Sequence, residues 1–120
     1  MKENKIIWTS IVEDLEYKIY SGVITEDMKF PSYSEIADQY KVDRSTALKV
    51  CKSLEVKNLI YLKSGLGFFL KPGARERVRE MQILKIETKI ELLYDDAIIL
   101  KMTKDELINM LQTYWHDNSN

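Results

Sequence analysis

The chain has 120 residues, of which 45% are hydrophobic and 31% charged, a composition typical of one globular domain or one small domain with an extension. No apolar run approaches the roughly 20 residues of a membrane helix, and the N-terminus has no export-signal pattern. One Cys and one His cannot form a zinc site within one chain. We therefore expect a cytoplasmic protein with no metal, cofactor or membrane partner.

The first predicted element is a helix over about residues 6 to 21, followed by a capping Gly22. Its apolar residues recur at intervals of three and four, which predicts packing behind the later elements: Ile7, Trp8, Ile11, Val12, Leu15 and Ile19. Glu13, Asp14 and Glu16 are predicted to lie off this apolar stripe. After a connector, residues 28–30 are expected to form a short strand beside a later hairpin.

Two short helices are predicted next. Ser32 and Glu35 form a capping box at the start of the first, and Asp43 is a suitable N-cap for the second. The apolar face of the second helix comprises Thr46, Ala47, Val50, Cys51 and Leu54. Its opposite face comprises Arg44, Ser45, Leu48, Lys49 and Lys52. This is a helix-turn-helix pattern, whose second helix fits the major groove of DNA.

A hairpin is predicted directly after these helices, with strands at residues 59–62 and 68–70 and a glycine-containing turn at residues 63–67. In this position a hairpin is a wing, whose tip can approach a phosphate backbone. Charge favours the same segment: residues 37–63 hold six Lys or Arg and three Asp or Glu, a net of +3, although the chain is slightly acidic.

Pro72-Gly73 marks a predicted domain boundary, with a DNA-binding domain at residues 1–73 and a helical dimerisation tail at residues 74–120. The tail is predicted to contain a helix from Ala74 to about Leu100 and a second one capped by Thr103. Their apolar faces exceed what two helices can bury on each other, which favours a twofold dimer. The candidate dimerisation residues are Ile83, Ile86, Ile90, Leu93, Leu107, Leu111 and Trp115.

The candidate DNA-binding residues lie at the start of each helix and at the hairpin turn. They are Tyr33, Ser34, Arg44, Ser45, Thr46, Lys49, Lys63, Ser64, Gly65 and Gly67. For Thr46, a role at the helix N-terminus is the alternative. Arg75, Arg77 and Arg79 are expected either to form a salt-bridged face with Glu76 and Glu80 or to contact phosphate, and the sequence leaves both open.

These motifs together resemble the winged-helix DNA-binding domain of GntR-type bacterial regulators over about residues 6 to 71. The matching elements are Ser21-Gly22, Phe30-Pro31-Ser32, Ile36-Ala37, Val42 to Thr46, Lys49, Leu54-Glu55, Leu59-Ile60 and Gly65 to Phe69. The short tail resembles that of the YtrA-like branch of the family. This resemblance implies that the tail consists of two dimerisation helices. Ser34 and Leu66 stand where the family often has a basic residue, and Leu48 where it often has a polar or basic one.

The predicted fold is mainly α with a small β-hairpin: an N-terminal winged helix-turn-helix and a two-helix C-terminal dimerisation tail. The predicted function is that of a homodimeric transcription regulator, a repressor, which binds an inverted-repeat operator in double-stranded DNA. A winged-helix protein-interaction module is the alternative. The adjacent carboxylates of the tail do not face each other as catalytic pairs do, so no enzyme is predicted. A small-molecule effector is left open.

Overall fold

In the computed structural model, the backbone is described for residues 2–119 and the side chains for residues 8–119. Within this range the chain forms α1 (Lys2–Ser21), α2 (Tyr33–Tyr40), α3 (Arg44–Val56), β1 (Ile60–Lys63), β2 (Gly67–Leu70), α4 (Ala74–Ile99) and α5 (Lys104–Asn118). This mainly helical fold with one hairpin confirms the predicted fold class. None of the described helices has the length and apolar character needed to cross a bilayer.

The chain divides into two compact units, Met1–Met81 and Gln82–Asn120. The first unit has one hydrophobic core, to which α1, both short helices, the hairpin and the start of α4 contribute. Ala74 and Val78 of α4 are buried in this core. The first compact unit therefore continues to Met81, past the domain boundary predicted at Gly73.

Helix α1 begins at Lys2 rather than near residue 6. Its inward face agrees with the predicted stripe, since Ile11, Val12, Leu15 and Ile19 are buried. The prediction that Ile7 faces inward concerns a residue outside the range of described side chains. Gly22 ends the helix with a φ of +85°, a conformation that glycine adopts without strain.

Glu16 is buried, which corrects its predicted place off the apolar stripe. Its side chain is only 1% exposed, because position 16 lies one turn after Val12 and one turn before Ile19. One carboxylate oxygen, Oε2, accepts a hydrogen bond from Lys57 Nζ at 2.8 Å. The other, Oε1, has no hydrogen-bond partner among the described residues.

Further polar contacts join α1 to its neighbours, among them a hydrogen bond from Lys18 Nζ to the Tyr40 hydroxyl at 3.1 Å. The Tyr40 hydroxyl of α2 donates to Asp14 Oδ2 at 2.5 Å, and this hydrogen bond lowers the pKa of the Asp14 carboxyl. Arg75 of α4 donates through Nε to the carbonyl oxygen of Tyr20 at 2.8 Å. With the Glu16–Lys57 pair, these contacts link α1 to α2, to the end of α3 and to α4.

The tight turn between α2 and α3 is built by backbone geometry and caps. Lys41 adopts the left-handed conformation, with a φ of 59°, and the Val42 amide donates to the Ala37 carbonyl at 3.0 Å. Such a closure is a common way to end a helix and leaves few residues before the next one begins. The predicted helix-turn-helix is confirmed.

The hairpin pairs β1 with β2 antiparallel, in the register Ile60 to Leu70 and Lys63 to Gly67. Lys29 forms an isolated bridge with Phe69, and the Phe30 amide donates to the Phe68 carbonyl at 2.8 Å. The predicted strand at residues 28–30 is therefore present as a single bridge. It seats the fully buried Phe30 side chain in the core.

In the second unit, α4 and α5 are joined by a short turn at residues 100–103. Lys101 has a φ of 57°, and the Met102 amide donates to the Ala97 carbonyl at 2.9 Å. Thr103 and Glu106 form a capping box that starts α5. Most apolar side chains of the unit are exposed in the single chain.

Candidate nucleic-acid interface

The first turn of α3 is organised by its N-cap, Asp43. Asp43 Oδ1 accepts from the Thr46 amide at 2.8 Å and from the Ser45 hydroxyl at 2.9 Å. These hydrogen bonds lower the pKa of the Asp43 carboxyl, so the cap is ionised at neutral pH. The helix start is thereby fixed, with Arg44 and Ser45 exposed.

The outward face of α3 carries the predicted contacts Arg44, Ser45 and Lys49, all exposed, although the Ser45 hydroxyl already donates to Asp43. Leu48 lies on the same face and is 37% exposed. An arginine at the start of such a helix can donate two parallel hydrogen bonds to a guanine edge. Lysine one turn later can reach a base or a phosphate.

Thr46 does not share this face. Its side chain is 8% exposed, beside the buried Ala47 and Val50, and its amide is held by the Asp43 cap. The alternative role at the helix N-terminus is therefore the one that the geometry favours, and we leave Thr46 out of the proposed DNA contacts.

At the start of α2, Ser34 is exposed and Tyr33 is partly buried. The Tyr33 ring packs edge-on against Phe68, with centroids 5.7 Å apart and an interplanar angle of 66°. The capping box holds the amides of this end: the Ser32 hydroxyl accepts from the Glu35 amide at 3.2 Å, and the Ser32 amide donates to Glu35 Oε1 at 2.9 Å. Of the two predicted phosphate contacts, Ser34 is therefore the more accessible to DNA.

The tip of the hairpin presents Lys63, at the end of β1, and Ser64 and Gly65 of the turn to solvent. Gly65 has a φ of +76°, and the Leu66 amide closes the turn on the Lys63 carbonyl at 2.9 Å. Lys63 Nζ lies 5.3 Å from the centroid of the Phe69 ring, a distance at which a cation and an aromatic face attract.

Gly67, predicted as part of the turn, is the first residue of β2 and is required by its surroundings. Its φ is +102°, and a Cβ at this position would lie 2.6 Å from Lys29 Cε. A larger residue would be strained by its backbone and would displace the Lys29 side chain. Gly67 therefore supports the shape of the wing, whereas Ser64 and Gly65 form the approachable tip.

The arginines at the start of α4 were expected to form a salt-bridged face or to contact phosphate. Arg75 instead donates to the Tyr20 carbonyl and lies over the Tyr20 ring, 5.5 Å from its centroid. Arg77 donates to the Pro72 carbonyl at 3.0 Å. Both guanidinium groups are committed to backbone oxygens, while Arg79 is exposed.

Catalytic and metal chemistry find little support in the described side chains. None of them form a cluster of three or more His, Cys, Asp or Glu residues suited to a metal ion. Cys51 is buried in the core, and burial raises the pKa of its thiol to about 12. A thiol with that pKa is almost wholly protonated at neutral pH and is a poor nucleophile.

Comparison with known proteins gives one family match, to "Bacterial regulatory proteins, gntR family", over residues 8–70. Among curated proteins, the HTH-type transcriptional repressor NagR of Bacillus subtilis (strain 168) is 31% identical over 71 residues. That alignment covers 59% of this chain and 29% of NagR, so the chain spans less than a third of that relative.

Solved structures share the fold. A transcriptional regulator from Oenococcus oeni has a TM-score of 0.77 at 18% identity, covering 90% of this chain and 89% of its own. YtrA from Sulfolobus acidocaldarius, a GntR-family transcription factor, has a TM-score of 0.51 at 21% identity, covering 94% and 90%. The similarity to both extends over at least 90% of this chain.

Proposed function

Because the chain belongs to the gntR family of bacterial regulatory proteins, we propose that it is a DNA-binding transcription regulator that acts as a homodimeric repressor. The observation that carries the proposal is the fixed start of α3. Its Asp43 cap leaves Arg44, Ser45 and Lys49 exposed on a helix-turn-helix. The similarity to NagR, which is named a repressor, supports the direction of regulation.

In the proposed complex, α3 lies in the major groove, where its first residues reach base edges. Arg44 supplies the main base contact and Lys49 a base or phosphate contact. Ser34, exposed at the start of α2, holds phosphate, which fixes the register without reading sequence. Lys63, Ser64 and Gly65 of the wing approach the adjacent backbone.

The proposed dimer rests on the exposed apolar faces of the second unit. Along α4, the spacing of Ile83, Ile86, Ile90 and Leu93 is three, four and three, which is the seam pattern of a coiled coil. All four are exposed in the single chain. On α5, Leu111 and Trp115 are also exposed, and Leu107 is partly buried. An apolar surface of this extent marks a protein interface.

An inverted-repeat operator follows from such a dimer. Two recognition helices related by a twofold axis read two half-sites related by the same symmetry, about one helical turn apart. The proposal places the protein in the cytoplasm, where the operator is accessible, and assigns it no enzymatic activity. A small-molecule effector is compatible with this scheme.

Selection of bound sequences from random duplex DNA at two salt concentrations tests the proposal. We expect enrichment of an inverted repeat, and an affinity that falls steeply with salt because lysine and arginine contacts release counterions. Binding without a motif would contradict sequence-specific regulation.

Arg44→Ala should weaken operator binding by about 1–3 kcal/mol if the contact is bidentate, whereas Lys104→Ala, which removes one cation from α5, should leave it unchanged.

A protein-interaction module is the second candidate function. It is favoured by the exposure of Leu48 on α3 and of Leu62 and Leu66 on the hairpin. Apolar docking through these leucines would depend weakly on salt, in contrast to phosphate binding. Folded protein that retains no DNA even at low salt would favour this candidate.

A further inference from the structure

An open groove of about 360 Å³ lies between α1 and the second half of α3. Among the described side chains, it is lined by Trp8, Lys49, Lys52, Ser53, Val56 and Lys57. Lys49 and Lys52 lie on α3 and Lys57 caps its C-terminal end, while Trp8 packs at the edge of the core as a partly buried ring.

The wall of the groove is almost entirely carbon, supplied by the Trp8 ring, Val56 and the aliphatic stems of the lysines. Lysine buries such a stem against apolar surface while its ammonium stays at the rim. Lys57 is paired with the buried Glu16. Lys49 and Lys52 form no ion pair with the acidic side chains that the structure describes. The rim therefore has two positive charges without a direct ion pair above an apolar floor, and Lys49 is attracted electrostatically to the Asp43 carboxylate at the start of the same helix.

We propose that this groove binds a small organic anion with a flat apolar body and one or two carboxylate or phosphate groups. A planar ring packs against the indole of Trp8, and Lys49 and Lys52 bind the acid group. The volume lies at the lower end of the range for small-molecule sites, roughly 300–1,000 Å³. That volume suits one ring system, and it is too short for several turns of a peptide helix.

The position of the groove implies regulation, and this part rests on the proposed DNA-binding function. Lys49 belongs both to the groove and to the DNA-facing surface of α3. An acid group bound to Lys49 removes that lysine from phosphate and places a negative charge beside the recognition helix. Each lost phosphate contact lowers DNA affinity and its dependence on salt. The bound anion therefore releases the protein from DNA.

Ligand binding is tested without DNA, by NMR titration of the full chain with 1-naphthyl phosphate. We expect saturable shifts of the Trp8 indole signal, assigned with Trp8→Phe, and of the backbone amides of residues 49–57. Neutral 1-naphthol and inorganic phosphate should each bind at least about tenfold more weakly, because 1-naphthol lacks the anionic group and inorganic phosphate lacks the aromatic ring. Shifts confined to α4 and α5, or equal binding of 1-naphthol, would overturn the proposal.

Matched variants locate the site. Lys52→Gln should weaken binding of 1-naphthyl phosphate about tenfold, which corresponds to one lost charge-assisted hydrogen bond. Lys104→Gln on α5 should have no effect. Equal affinity of the two variants would remove Lys52 from the site. Saturable binding of an acidic peptide at the same residues, with none of 1-naphthyl phosphate, would replace the small molecule by a protein partner and overturn the proposal.

The regulatory part has a separate readout. With operator DNA bound, 1-naphthyl phosphate should lower the apparent DNA affinity of the wild type and have a smaller effect on Lys52→Gln. An NMR-detected ligand that leaves DNA affinity unchanged would overturn the regulation alone. If the protein binds no DNA at all, the NMR titration still decides whether the groove is a ligand site.

Discussion

Buried polar and ionisable groups decide the behaviour of this fold at the scale of single residues. Glu16 is the clearest case, because a carboxylate that is 1% exposed depends on one ammonium group, Lys57 Nζ, for its compensation. A buried pair is a weak source of stability, but losing one partner leaves an uncompensated charge. The energetic consequence therefore appears on mutation rather than in the native protein.

We expect Lys57→Met to destabilise the protein by roughly 1–3 kcal/mol, less than for a fully buried pair because Lys57 is partly exposed. Urea denaturation gives the free energy of unfolding. Lys52→Met, in the last turns of α3, is the control and should change the free energy of unfolding by less than about 0.5 kcal/mol. Adding Glu16→Leu to Lys57→Met should recover most of the loss. An equal effect of the two lysine substitutions would show that the pair is not important for folding.

Cys51 predicts a loss of stability at alkaline pH. Burial raises its folded pKa to about 12, whereas an unfolded thiol titrates near 8.5. The unfolded chain therefore loses the proton first, so the stabilisation is complete below about pH 8.5 and is lost as pH rises toward 12. Between pH 9 and 10.5, wild type should lose up to about 1.4 kcal/mol per pH unit relative to Cys51→Ala. Parallel pH profiles of the two proteins would contradict this.

At the scale of elements, the helix ends are the part of the fold that the sequence determines most directly. The caps at Ser32, Asp43 and Thr103 were each predicted and are confirmed. Each depends on residues three positions apart, so the chain needs no tertiary information to form it. The apolar face of α3 was predicted for the same reason, from spacing alone.

Ser32→Ala should destabilise the protein by about 0.5–2 kcal/mol, because it removes one oxygen of the capping box. Ser34→Ala, two residues along, should leave the free energy of unfolding unchanged and weaken operator binding, since Ser34 is exposed. Thermal unfolding and DNA titration of both variants give the two quantities. A loss of stability in both variants would show that Ser34 also has a structural role.

Contacts between distant elements could not be predicted from the sequence. Nothing local indicates that Glu16 meets Lys57 or that Arg75 reaches the Tyr20 carbonyl, because these partners lie 41 and 55 residues apart. The burial of Thr46 was implied by its place on the apolar face, but its position beside Arg44 also suggested DNA contact. The groove at Trp8 required two helices to be placed side by side, which periodicity does not provide.

At the scale of the whole molecule, the apolar surface of the second unit is the dominant feature. A chain of this length gains solubility and stability by covering such a surface, and a symmetric dimer is the commonest solution. The positive excess of residues 37–63 is only +3, so one protomer is expected to bind DNA weakly. Doubling the contacts through a dimer makes binding to two half-sites far tighter than binding to one.

Ile90→Glu should therefore convert the protein to a monomer and strongly reduce operator binding. The charge is placed in the middle of the proposed seam, where it cannot be solvated in the dimer. Thr88→Glu adds the same charge two residues earlier, on the opposite side of the heptad, and should remain dimeric. Sedimentation equilibrium decides between the two states. A dimeric Ile90→Glu protein would show that another surface forms the interface.

The side-chain contacts between α1 and its neighbours determine which residues must be moved together when the DNA-binding unit is joined to another protein. A fragment limited to the helix-turn-helix and wing would separate Lys57 from Glu16 and Tyr40 from Asp14, and it would lack both partners of the Arg75–Tyr20 hydrogen bond. It would also lose the inward face of α1. A chimeric regulator should therefore exchange residues 1–81 as one cassette, since a junction at Gly73 would separate Arg75 and Val78 from the partners they were selected with.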